Sequence, residues 1–145
     1  MKKSISSQKG FSLIELLIVI TIIGIISSIA VTYLQQAKNA TQSASAISSM
    51  RTINSAQSTF RASNGRFGTL PELGTARVIA DPNLTAGEKS GYTFDVTTAT
   101  ASNYEAVADP VNDPRNAFQH YFIDSTAIIR VRVGAAATVT SNPID

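Results

Sequence analysis

Between Leu16 and Ala37 the chain carries no charged residue, and from Leu16 to Leu34 it is almost continuously aliphatic. At about 1.5 Å of rise per helical residue, such a run crosses a hydrocarbon core of roughly 30 Å. One carboxylate disturbs it. Glu15 stands at the start of the run, in Lys9-Gly10-Phe11-Ser12-Leu13-Ile14-Glu15-Leu16. A charge at the centre of a spanning helix costs on the order of 2.5 to 3.5 kcal/mol on insertion scales, and less near an end. An acid kept at that cost is expected to have a function and a cationic partner.

If the chain is cut between Gly10 and Phe11, the new α-amino group supplies that partner. It lies one helical turn from Glu15 of its own chain. In an assembly of parallel helices it can instead reach Glu15 of a neighbouring copy, which would make the ion pair a device for setting register. These residues resemble the type IV pilin and type II secretion pseudopilin family, whose class III signal has the form K-G-F-[ST]-L-[IV]-E-L followed by an apolar helix. The likeness covers roughly the first 35 residues; beyond them it extends to architecture alone.

The resemblance implies that a prepilin peptidase cuts after Gly10 and methylates the amine of Phe11. The chain then divides into a leader, 1–10, a membrane-spanning and later filament-core helix, 11–35, and a periplasmic or extracellular globular domain, 36–145, that includes the second half of the long helix. The implied partners are further copies of the subunit, the peptidase, and an inner-membrane assembly platform with its ATPase. The chain would sit in the inner membrane before assembly and in an extracellular pilus, or a periplasmic pseudopilus, afterwards. No cofactor is expected. Gly24, with Ser27 and Ser28, interrupts the large aliphatic side chains and lets helices approach closely. Thr32 stands where the family has a proline. Without proline every backbone donor is retained, so the helix is expected to be continuous, with Gly24 as its weak point. The chain also has no cysteine, whereas many type IV pilins staple a C-terminal loop with a disulfide.

Three of the twelve lysine and arginine residues fall within 1–10, so removing the leader turns a formal +2 into −1 before the new amine is counted. The leader lysines Lys2, Lys3 and Lys9 point to a cytoplasmic N-terminus. The remaining chain has no cationic cluster, which removes the compositional case for nucleic-acid binding. Catalytic constellations are absent as well: there is one histidine, no nucleophile elbow, no phosphate-cradling glycine loop and no paired-histidine metal spacing. The chain therefore reads as a structural subunit and not an enzyme. Two other readings set Glu15 aside. An ordinary secretory signal cleaved after Ala30 would have to carry the acid in an overlong apolar region, and a plain membrane anchor leaves it unexplained.

The fold expected is α+β, a long N-terminal helix packed on a small antiparallel sheet. Ala37, Ala40, Ala44, Ile47, Met50, Ile53 and Phe60 recur at steps mostly of three and four, which predicts one amphipathic stripe on a helix continuing to about Ser63. Asn64-Gly65 should end it. Residues 66–91, punctuated by Gly68, Pro71, Gly74, Pro82, Gly87 and Gly91, read as a long ordered connection anchored by Phe67, Leu70, Leu73, Val78, Ile79 and Leu84. Strands are expected at 92–96, 103–108, 120–124 and 129–133, with a hairpin turn at Asp124-Ser125-Thr126-Ala127. Tyr92, Phe94, Val96, Val131 and Val133 should face the core, with Arg130 and Arg132 outward and a tail, 134–145, that frays. His120 reads as structural. Asp109, Asn112 and Asp113, in Asp109-Pro110-Val111-Asn112-Asp113-Pro114, are the one set of oxygen ligands that could suit calcium. Side chains capping proline-rich turns are the preferred account of them.

Overall fold

The computed structural model describes residues 10–113 and 117–144; most of the leader, including Lys2, Lys3 and Lys9, together with Pro114 and Asp145, lies outside them. Helix α1 runs Leu13–Asn64, with Thr32 in the helical stretch. It stops as expected. Gly65 adopts φ +70°, its N–H donates to the Arg61 carbonyl at 2.8 Å, and the Asn64 side chain donates to the Phe60 carbonyl at 3.0 Å. By contacts the chain divides into two units, one up to Lys38 and one from Asn39 onward. In the first, every described residue from Gly10 to Lys38 is exposed. The helix there is long and apolar enough to cross a membrane.

In the second unit, α1 contributes Ala46, Ser49, Met50, Ile53, Ala56, Gln57 and Phe60 to the buried interior. The predicted stripe is right from Ile47 onward, with Ile47 packed against the core, and wrong before it: Ala37, Ala40 and Ala44 are exposed. The steps from Ala44 through Ile47 and Met50 to Ile53 are all of three, and each falls about 60° short of a turn. Ala44 therefore lies about half a turn from Ile53, while Asn39, Gln42 and Ser43 are partly buried.

The connection after α1 is ordered by two short helices, α2 at Leu70–Thr75 and α3 at Pro82–Thr85. Each is started by a carboxylate. Glu72 accepts from the Thr69 N–H at 2.8 Å and pairs with Arg66 at 2.6 Å, and Asp81 accepts from Asn83 at 3.0 Å while pairing with Lys89 at 2.9 Å. The Arg66 hydrogen bond, reinforced by those from Thr69, lowers the Glu72 carboxyl to about 2. Gln57, fully buried, clamps the connection to α1: its amide N–H donates to the Gly68 carbonyl at 2.6 Å and its oxygen accepts from the Gly68 N–H at 2.9 Å. Gly68 is required there, because a Cβ would lie 2.9 Å from the Phe60 ring. Of the predicted anchors, Phe67, Leu70, Leu73, Ile79 and Leu84 are in the core and Val78 packs against it.

Among the described residues the sheet has six strands in chain order, each antiparallel to the next: β1 Glu88–Lys89, β2 Tyr92–Ala99, β3 Tyr104–Pro110, β4 Gln119–Asp124, β5 Arg130–Val133 and β6 Asn142–Pro143. The four long strands are those the alternation predicts, and the two-residue edges are additions. Tyr92, Phe94 and Val96 face the core as expected. Val133 does not; it is 59% exposed, because β6 pairs only with Arg130 and Val131 and leaves the end of β5 uncovered. Arg130 is half-buried, donating to the Ser141 carbonyl at 3.2 Å. The tail is held rather than frayed, since the Ile144 N–H donates to Ile129 at 2.9 Å and Ala137 is buried. Phe122, on the face opposite the main core, is also buried, so that face is not wholly solvated.

Helix and sheet meet through tyrosines. Tyr92, Tyr104 and Tyr121 are at most 1% exposed, and the Tyr104 hydroxyl donates to Asn54 on α1 at 2.7 Å. Burial raises all three phenols above their ordinary range.

Candidate functional site

The chemistry singled out by the sequence collects at the start of α1. Gly10 and Phe11 precede the helix, with Phe11 80% exposed, and a Cβ on Gly10 would meet nothing within 4 Å. Glu15 lies in the first turn. Its N–H donates to the Ser12 carbonyl at 3.0 Å, and its carboxylate accepts, at 3.4 Å, from the Ser12 N–H. Ser12-x-x-Glu15 is thus one half of a reciprocal cap, in which the acid at the third helical position satisfies a backbone donor that the helix leaves free. The spacing is legible in the sequence, yet a reading that looks only for a cationic partner passes over it. Glu15 also sits where the helix dipole favours negative charge. Local capping helps to hold the carboxylate in place but does not remove its charge.

Further along, the polar side chains of the apolar run turn back on the helix. The Thr21 hydroxyl donates to the Leu17 carbonyl at 2.8 Å and the Ser28 hydroxyl to the Ile25 carbonyl at 2.9 Å. Both donors are satisfied without water, as an apolar environment demands. Gly24 leaves open space, with no atom within 4 Å of a Cβ placed on it. This notch between Ile23 and Ile25 is a place where another helix can come close.

The oxygen-rich loop after β3 is organised around the histidine. Ala108 pairs with Tyr121, so Asp109 and His120 fall opposite one another in the next position, and the Asp109 carboxylate meets His120 Nδ1 at 2.6 Å. His120 Nε2 lies 3.7 Å from Asp113, whose two oxygens accept from the N–H groups of Ala117 at 2.8 Å and Phe118 at 3.2 Å. Asn112 is exposed. The two acids therefore converge on an imidazole and on backbone donors instead of forming an open oxygen cage. Among the described residues no group of three or more His, Cys, Asp and Glu side chains is arranged to hold a metal ion.

Compared with known families, residues 5–31 match the model of the prokaryotic N-terminal methylation motif. The match takes in Gly10, Phe11, Glu15 and Gly24 together. The chain carries a type IV pilin-like class III signal on a helix-and-sheet fold of the pilin-like kind. No curated protein sequence matches the chain.

Proposed function

We propose that this chain is the precursor of a structural subunit of a type IV pilus, cut after Gly10, N-methylated on Phe11 and polymerised through the first half of α1. It is not an enzyme on this reading. One observation carries it: the methylation motif at 5–31 sits on a helix whose every described residue up to Lys38 is exposed. Sixteen large apolar side chains exposed on their own chain need lipid, then other helices.

The subunit waits in the inner membrane with its N-terminus cytoplasmic, oriented by the leader lysines. Cleavage releases a cationic amine beside Glu15. The pair formed between the amine of one copy and Glu15 of the next brings two charges together in an apolar core, where either alone would be costly. Gly24 lets neighbouring helices pack closely, so subunit contacts replace lipid contacts at little cost. The assembly platform and its ATPase supply the work of extraction.

Processing is tested by intact mass and N-terminal sequencing of the protein sheared from cells. N-methyl-Phe11 as the first residue is expected, and Gly10→Ala should hinder cleavage by crowding the scissile backbone. A mature chain beginning at Val31 contradicts the reading.

A further inference from the structure

The second unit has a basic and an acidic surface that do not neutralise each other within one copy. On the exposed flank of α1, Ser48, Arg51, Thr52, Ser55 and Thr59 line a groove of about 380 Å³ with Val78 from the turn after α2. Next to Val78, Arg77 is exposed and holds φ +56°, a conformation in which glycine is cheaper than any larger residue. A guanidinium kept in a strained turn points toward use. The groove's small hydroxyl side chains donate back to α1: Thr52 to Ser48 at 3.0 Å and Thr59 to Ser55 at 3.1 Å. Its walls therefore present little that competes with an incoming chain; Arg51 is the cation that lines it, and the exposed Arg77 adjoins it in the chain through Val78.

At the β1–β2 edge the balance is reversed. Glu88 is opposite Thr93 in the register, so Glu88 and Asp95 are diagonal neighbours on one face of the sheet, and both are exposed. Among the described residues, the ion pairs are Arg66 with Glu72, Lys89 with Asp81, and His120 with Asp109 and Asp113. Arg51, Arg77, Glu88 and Asp95 belong to none of them.

We propose that the Arg51–Arg77 groove of one copy docks the Glu88–Asp95 edge of a second copy. The inference rests on the polymer reading above and adds the contact that orients the globular parts. Charge complementarity selects the occupant, since the carboxylates and the guanidiniums come in matching pairs. The two surfaces are different, so the contact is head-to-tail; such a contact propagates into an open helical array instead of closing a dimer. Each exposed pair is weak and screened by salt, and it gains force by repetition along a filament.

Filament yield at equal levels of mature membrane protein tests this in cells expressing the full chain. Reversing the groove (Arg51→Glu with Arg77→Glu) or the edge (Glu88→Lys with Asp95→Lys) should each lower filament number by about tenfold or more, as like charges face one another across the contact. Combining all four should restore it. Wild-type yield from either reversed pair, or a loss that the fourfold variant does not repair, overturns the docking and leaves the polymer intact. If the unaltered chain makes no filaments, the polymer reading and the docking fall together.

Discussion

The two halves of α1 share one hydrogen-bonded helix and obey opposite rules. From Leu13 to Lys38 the side chains are overwhelmingly aliphatic and all are exposed; from Asn39 to Asn64 the composition is polar, and one stripe is buried against the chain's own sheet. The more hydrophobic half is thus the one with no core. Burial here follows from what each half can find nearby. Gln57 is interior, clamped to the Gly68 backbone, whereas Ile20 and Ile25 are 60% and 58% exposed. Secondary structure is common to both halves, and only the second is stabilised by its own tertiary contacts.

The comparison is broken most severely by removing the charge of Glu15. Glu15→Leu should leave the protein inserted, since the substitution favours the membrane, and should abolish or sharply reduce filaments. Glu15→Gln sharpens the result, because glutamine still caps the Ser12 N–H but carries no charge. Filament counts close to zero for both variants identify the ion pair as the essential role. Normal counts for Glu15→Gln alone would assign the residue to capping. Neither variant should change the thermal unfolding of the globular part.

Effects confined to the second half should be smaller and read in stability. Gln57→Ala strands the N–H and carbonyl of Gly68 in the interior and should cost on the order of 3 kcal/mol. Denaturant titration of the detergent-solubilised chain gives the value; a cost below about 1 kcal/mol would mean that water replaces the amide. Tyr104→Phe removes the hydroxyl donated to Asn54 and should cost about 1 kcal/mol in the same titration.

The smallest effect expected is a pH dependence. The Glu72 carboxyl is lowered in the folded chain to about 2 from an ordinary 4.5, so its contribution is complete above the ordinary value and is lost as pH falls through about 2. Unfolding midpoints of the native chain and of Glu72→Gln should therefore converge as pH drops through that window. Parallel curves would show that the Arg66 pair contributes nothing measurable.

Much of this was legible in the residues, for physical reasons. Apolar length and one misplaced acid are coarse signals, and α1 and the four long strands follow from periodicities that survive small errors. The failures come where register must be exact to one residue. Ala37, Ala40 and Ala44 look like a continuation of the stripe until the shortfall of successive three-residue steps is added up. Val133 alternates correctly along β5, but its burial depends on how far β6 extends. The edges Glu88–Lys89 and Asn142–Pro143 are too short to show a period at all. At the site, the acid and its charge were readable from spacing. That the Glu15 carboxylate also caps the Ser12 N–H becomes plain only when the helix start is fixed at Leu13.

A filament map at side-chain resolution tests the central claim, that the first half of α1 finds its core in other copies. The account predicts that the apolar side chains of 11–34 are buried among parallel helices and that Glu15 of one copy lies within about 4 Å of the Phe11 amine of a neighbour. It also predicts an unbroken helix at Thr32, with any loosening centred on 22–30. Solvent-facing Glu15 side chains, or a helix broken at Thr32, would contradict it.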